Sequence, residues 1–374
     1  MSWVLAIAGF AALVVLHEAG HFTAAKAVGM RVEKFFLFFP PKVVSITRGE
    51  TEYGIGAIPL GGYVKITGMN PEEEIPPEVE HRAYYRQPVW KRIVVIAAGP
   101  FVNIVLALVL FFILATGFGL DTEPTNTIGA VDENLAAAEQ LRSGDQLVSI
   151  DGVEVASLSG DQLIDTVRDQ VATHECPPPI TDGCEARTPA KLVVVRDGEQ
   201  VDLAITPTFS APEAPPGEPE IEPRMIIGFG YEFDRERQSA AEGAEFAVDR
   251  LWLVTSRTAE VFAGIFEAET REQITGIVGA TEVTRQSFEF DTRQAIGVLA
   301  VISLSLGLVN LLPFLPLDGG HIFWALVEKV RGRPASMKTM ERSGIIGFAL
   351  VMILFFIGLQ NDINTLTGDG FNVR

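Results

Sequence analysis

Four long apolar stretches limit what this chain can fold into more than any short motif does. They run from Trp3 to Leu16 and on past a His-Glu-Ala-Gly-His sequence, from Ile93 to Leu120, from Ala295 to Leu317 and from Gly344 to Leu359. A helix needs about 20 apolar residues to cross a bilayer core, so the second and third qualify outright. The first is interrupted by ionisable residues and the last is slightly short. With 48% hydrophobic residues over 374 positions, the chain reads as a multi-pass α-helical membrane protein of about four transmembrane helices. The first stretch lacks a basic flank and carries His, Glu and His where a signal core would be apolar, so it is expected to be a span and not a cleaved leader.

Charge separates the chain into sides. Residues 118–294 hold 13 Lys and Arg against 34 Asp and Glu, so this one segment carries more negative charge than the whole chain's net −19. Lys26, Arg31, Lys34, Arg86, Lys91 and Arg92 flank the first connection, and Lys329, Arg331, Arg333, Lys338 and Arg342 lie in the last. Lys and Arg concentrate on cytoplasmic loops, which predicts that these two connections are cytoplasmic and that 118–294 and both termini are outside. No basic surface for nucleic acid is present. Cys176 and Cys184 both fall in the outer segment, where an oxidising compartment permits a bridge closing the Cys-Pro-Pro-Pro-Ile-Thr-Asp-Gly-Cys loop.

Short strands are expected at Val43 to Ile46, Glu52 to Ile58 and Tyr63 to Ile66, punctuated by Gly49, Pro59 and the pair Gly61-Gly62. The outer segment alternates strand-like runs (Gln146 to Ile150, Lys191 to Val195, Val201 to Ile205) with turns and one helical stretch, Gly160 to Val171. The expected division is a first span over 1–28, a membrane-associated β-loop region on the cytoplasmic side over 29–92 and a second span over 93–120. An outer α+β module follows over 121–207, then a Pro/Glu-rich linker over 208–239 and an amphipathic helical region at the outer membrane face over 240–294. A third span over 295–317, a cytoplasmic connection over 318–343, a fourth span over 344–361 and a tail over 362–374 complete the chain.

The chemistry sits in the first span. On a helix His17 and His21 project from one face, where two imidazoles can grip one metal ion with Glu18 beside it. An ionisable residue at membrane depth costs about 3 kcal/mol or more unless it is paired or ligating, so a merely structural role for this trio is expensive. A catalytic zinc takes three protein ligands and leaves a position for water, whose proton a neighbouring carboxylate removes; Glu18 is the candidate base. The run Asn310-Leu-Leu-Pro-Phe-Leu-Pro-Leu-Asp318-Gly-Gly supplies a carboxylate at the inner end of the third span, and its two prolines break the helix where only a cavity or protein lining tolerates it. Asp318 fits as third ligand. His321 would close the position water needs, and His81 and His174 are expected to be ordinary surface residues.

Taken together these residues resemble the bacterial site-2 protease family, peptidase family M50, whose members pair an HExxH on the first span with an NxxPxPxxDG-type run on a later one. The resemblance implies that His17, His21 and Asp318 hold one zinc ion, that Glu18 is catalytic, and that Asn310 positions substrate or water. It extends to Ile58-Pro59-Leu60-Gly61-Gly62-Tyr63-Val64-Lys65, similar to the family's membrane-associated β-loop, and to Ala98-Gly99-Pro100-Phe101-Val102-Asn103 on the second span. Gly61, Gly62, Tyr63 and Asn103 are thereby expected to position substrate or shape its site. The outer module resembles a single inserted PDZ domain, through Leu141-Arg-Ser-Gly-Asp-Gln-Leu147 and Ile150-Asp-Gly152. Three departures stand out: Pro316 lies one place later than the usual proline, Phe38-Phe39-Pro40-Pro41 replaces a glycine-containing sequence, and the module carries the Pro-rich cysteine insert. The implied activity is cleavage of single-pass membrane proteins such as anti-sigma-factor-like regulators in the bacterial cell membrane, after a first cut by another protease. A non-catalytic PDZ membrane scaffold and a metal transporter remain as alternatives.

Overall fold

The computed structural model describes residues 1–70, 73–132, 135–211, 222–368 and 371. The chain divides into two compact units, one formed by Met1–Thr116 together with the chain from Ser239 onward, the other by Gly117–Gln238.

The first unit opens with α1, Ser2–Ala27, and a β-loop of two long strands, β1 Val32–Arg48 and β2 Thr51–Ile66. The far half of β1 forms a hairpin with the start of β2, from Arg48 opposite Thr51 to Lys42 opposite Gly56. The near half sits between two stretches of β2: Lys34 to Leu37 lie opposite Glu52 to Ile55 on one side and opposite Lys65 to Gly62 on the other. Residues 62–66 therefore form an outer edge. Three short strands were expected here, and residues 32–42 were not expected as strand. The reason lies in Phe35 and Phe36, which are covered on opposite faces: Phe35 packs on Phe22 and Tyr53, whereas Phe36 stacks on Tyr63. A strand apolar on both faces has no alternation to read. At the bend Phe38 takes φ 72°, the left-handed region that favours glycine.

A short helix α2, Pro77–Glu80, precedes α3, Val89–Ile113, which runs through one wide turn to Phe118. The second unit follows. Its strands are β3 Leu120–Val131, β4 Gln146–Ile150, β5 Val153–Glu154, β6 Ala190–Arg196, β7 Glu199–Ile205, β8 Thr208–Ser210, β9 Arg224–Ile226 and β10 Phe229–Glu236, with α4, Gly160–Ala172, between β5 and β6. The main sheet has the order β10-β3-β4-β6-β7, with β5 added to β4, while β8 and β9 pair separately. Leu163, Val167 and Val171 from one face of α4 pack on Ile128, Leu147, Leu192 and Ile205 to make the core. β10 lies within the stretch expected to be linker, so the unit extends to Glu236; residues 212–221 of that stretch fall outside the described residues. β3 and β10 escape a sequence reading because each is polar on its open face and finds its partner about a hundred residues away, Phe229 opposite Val131 and Glu236 opposite Leu120. His174, expected at the surface, lies inside the unit. It is buried, 8% exposed, with Nδ1 2.9 Å from Thr188 Oγ1 and Nε2 2.9 Å from Asp151 Oδ2, because α4 ends against the loop that leads into β6. Cys176 and Cys184 form a disulfide.

The first unit resumes with α5, Ala240–Ala263, started by a reciprocal Ser239–Glu242 cap. α6 Ala268–Glu272, α7 Ile277–Phe290, α8 Thr292–Asn310, α9 Asp318–Arg331 and α10 Met337–Thr367 complete it. Among the described residues four helices are long and apolar enough to cross a membrane: Ser2–Ala27, Val89–Phe118, Thr292–Asn310 and Lys338–Thr367. The four apolar stretches thus become four such helices. α10 is held at one end by Asp362, 1% exposed, which accepts from the Gly276 and Gly279 amides at 2.9 and 2.8 Å.

Candidate metal centre

α1 carries His17, Glu18 and His21, and the first residue of α9 is Asp318. The chain between α8 and α9 must bring that carboxylate onto α1, and the sequence does so by breaking the helix at Pro313 and Pro316 and then restarting it. Gly319 and Gly320 are needed for close approach: a Cβ on Gly319 would lie 2.2 Å from the Leu311 carbonyl oxygen, and one on Gly320 2.4 Å from the Leu315 amide. Gly347 of α10 closes the loop from outside, with its Cβ position 1.8 Å from the Leu315 oxygen. Arg92 at the start of α3 clasps Glu328 of α9 through two bonds of 3.0 and 2.5 Å, which fixes α9 in rotation.

The result is a convergence of three atoms. His17 Nε2 and His21 Nε2 are 3.3 Å apart, and each lies 3.2 Å from Asp318 Oδ2. Both histidines are 7% exposed. His21 Nδ1 lies 2.9 Å from the Val95 carbonyl oxygen, which can only accept, so in the neutral ring Nδ1 carries the proton and Nε2 offers a lone pair. With His17 in the same tautomer, two imidazole lone pairs and a carboxylate oxygen face one another in a buried space, an arrangement that a cation between them satisfies. A tetrahedral zinc with arms of about 2.0–2.1 Å sets neighbouring ligand atoms about 3.3–3.4 Å apart, so this triangle fits one face of that polyhedron. Among the described residues it is the one group of His, Cys, Asp and Glu whose ligand atoms converge in this way. His321 is not in it.

The sequence-expected residues separate into three sets. Glu18 lies beside the triangle, against the outer edge of β2: a Cβ on Gly62 would sit 2.7 Å from Glu18 Cγ, and the Val64 amide faces the carboxylate. Tyr63 points to the other face of the β-loop, stacked between Phe36 and Phe39 at centroid distances of 5.5 and 5.7 Å. Gly61, at φ 139°, lets the chain turn into that edge. Asn310 Nδ2 donates to Leu306 of its own helix at 3.0 Å. Asn103 is wholly buried between α3 and α8, so it offers no surface to a substrate.

Two supporting residues carry more than their sequence signal suggests. Gly99 of α3 faces His17 and His21, where a Cβ would lie 2.3 Å from His21 Nε2 and 2.9 Å from His17 Nε2. Gly20 packs on the Ala98 carbonyl, 2.5 Å from its Cβ position. A glycine one residue before a proline hints at close approach, whereas the Val95 carbonyl, being backbone, leaves no mark in sequence.

The β-loop is fastened to α1 by Glu50 at its hairpin tip, which takes Arg82 at 2.7 and 2.8 Å and Lys26 at 2.6 Å. The Arg82 bond, followed by that of Lys26, draws the Glu50 carboxyl down to about 2. Because the folded value is depressed, this contribution is complete above the usual glutamate range and is lost as pH falls toward about 2. Glu50→Gln is expected to raise amide hydrogen exchange through β1 and β2 at neutral pH, and acidification of the parent chain should do the same only below about pH 4. An unchanged exchange pattern in the variant would remove Glu50 from this role.

The profile of peptidase family M50 matches residues 5–354. Zinc metalloprotease Rip1 of Mycobacterium tuberculosis is 31% identical over 348 residues, covering 87% of this chain and 85% of its own length. Rip1 of Mycolicibacterium smegmatis is 31% identical over 387 residues, 92% and 90% respectively. A Rhizobium meliloti protein is 30% identical over 370 residues, 95% of this chain and 94% of its own. On the match of the family profile to nearly the whole sequence, this chain belongs to peptidase family M50.

Proposed function

We propose that the chain is a zinc-dependent endopeptidase that cleaves single-pass membrane proteins in or beside their transmembrane segment. The observation that carries this reading is the triangle of His17 Nε2, His21 Nε2 and Asp318 Oδ2 at 3.2–3.3 Å with Glu18 next to it. When bound there, zinc supplies a Lewis acid that acidifies water and polarises the scissile carbonyl. His17, His21 and Asp318 hold the ion, and the Val95 carbonyl fixes the His21 ring. Glu18 accepts the proton of the attacking water and passes it to the leaving nitrogen.

A transmembrane helix hides its carbonyls in its own hydrogen bonds, so a substrate must be unwound before attack. The outer edge of β2 at Gly62–Ile66 faces Glu18 and can receive an extended segment as an added strand, with glycine giving the close approach that a side chain would block. Gly61 and Gly62 thus position substrate, Tyr63 braces that edge from the other face, and Asn310 positions substrate at the end of α8. Lys and Arg on both connections support a bacterial inner membrane topology with the termini and the second unit outside and the metal site toward the cytoplasm. The second unit acts as a PDZ module, where edge strand β10 takes the end of a substrate already cut by another protease, for instance an anti-sigma-factor-like regulator.

Glu18→Gln keeps the shape of the site and removes the base. In a purified assay on a single-span reporter, cleavage should fall by at least about 10³-fold while zinc content stays at one per chain. Cleavage at the parent rate would overturn the role of Glu18.

A further inference from the structure

We propose that Asn103 positions the metal ligand His17, its Oδ1 accepting through one buried water the proton on His17 Nδ1. The inference rests on the metal reading of the His17–His21–Asp318 triangle and adds a residue to it. A metal-bound imidazole almost always donates its second ring N–H to an acceptor, which fixes the ring and raises its basicity. His21 obeys this through the Val95 carbonyl at 2.9 Å. His17 does not: with Nε2 turned to the triangle, Nδ1 must carry the proton, and among the described residues Nδ1 is buried with no partner.

A matching acceptor lies one helical turn away. Asn103 is 0% exposed, and both Oδ1 and Nδ2 are buried with no partner among the described residues. α1 and α3 are antiparallel here, since His21 meets Val95 while His17 meets Gly99, and one further turn along this register places Asn103 beside the turn preceding His17. Helical side chains lean toward their own N-terminus. The His17 ring therefore leans toward the level of Asn103, and the Asn103 amide leans toward the level of Gly99 and His17. Gly307 of α8 packs closely on α3 here, its Cβ position 3.3 Å from Asn103 Cβ, and Ser303 Oγ donates to the Asn103 backbone oxygen at 2.9 Å, so the Asn103 backbone is held from that side. A buried water with two to four polar partners is a common way to satisfy such a pair of groups.

The test measures zinc affinity of the full-length chain in detergent micelles by chelator competition, beside the melting temperature of the metal-free protein. The parent should bind one zinc. Asn103→Leu should bind it about 10- to 100-fold more weakly, with the metal-free melting temperature equal or higher because an unpaired polar group has been removed. Asn103→Asp keeps an acceptor in place and should remain within about threefold of the parent. If the leucine variant does not fold, Asn103→Ala is read by the same criterion. Zinc affinity within about twofold of the parent in the leucine or alanine variant, or an aspartate variant as weak as they are, overturns the proposal. A parent chain that binds no zinc overturns the metal reading itself.

Discussion

Gly99→Ala is expected to abolish zinc retention and peptide cleavage while leaving the fold intact. Alanine is a better helix former than glycine, so α3 loses nothing locally. The added methyl, however, would fall 2.3 Å from His21 Nε2 and 2.9 Å from His17 Nε2. The helices cannot give way around it without opening the contact of Gly20 on the Ala98 carbonyl, and His21 cannot rotate without leaving the Val95 oxygen. One or both imidazoles must then leave the triangle. Displacement of about 1 Å in a catalytic group costs about 10²-fold, and cleavage should fall by at least that much. Zinc per chain and cleavage of a single-span reporter are the readouts. A variant that keeps full zinc and full activity would show that α3 does not set the ligand spacing.

The second large effect belongs to the other unit. Asp145 is buried, its side chain 2% exposed, and it binds Arg196 Nε at 2.8 Å and Nη2 at 2.6 Å while accepting from the Arg142 amide at 2.9 Å. Burial opposes ionisation of Asp145, but the Arg196 and Arg142 bonds outweigh it and hold the carboxyl below its usual range. Asp145→Ala would leave the buried Arg142 amide without its acceptor and Arg196 without its carboxylate, though still on the Gln140 carbonyl oxygen at 2.7 Å, at a cost of about 1–3 kcal/mol. Exchange of the β4 and β6 amides in the full chain should rise accordingly. Because the folded carboxyl is depressed, the pair contributes fully above the unfolded aspartate value of about 3.9 and weakens as pH falls below it. Unchanged exchange in the alanine variant would mean that the ion pair is incidental to the sheet.

Parts of this molecule are written in local sequence and parts are not. The four long helices follow from hydropathy because lipid demands about 20 apolar residues in succession, a signal that no tertiary contact is needed to read. The spacing of His17, Glu18 and His21 is legible for a related reason, since positions four apart on a helix share a face in any context. Asp318 was legible by its chemistry and by the prolines around it. The near half of β1 was not, because Phe35 and Phe36 are each covered on their own face and leave no alternation. β10 was not legible either, because its pairing with β3 is decided by residues that lie far apart in the chain. His174 looked like a surface residue until the end of α4 brought Asp151 and Thr188 to both of its nitrogens. Gly99 carried a faint signal and the Val95 carbonyl none, for support of the His21 ring depends on which helix lies behind it.

The central claim, that two distant helices meet around one catalytic zinc, is tested most directly by X-ray absorption at the zinc edge of the purified full-length chain. The expected spectrum is a four-coordinate site of light atoms at about 2.0–2.1 Å with the outer-shell scattering of two imidazoles, and Asp318→Ala should change the first shell. A spectrum with sulfur ligands, one with fewer than two imidazoles, or one that Asp318→Ala leaves unchanged would contradict it.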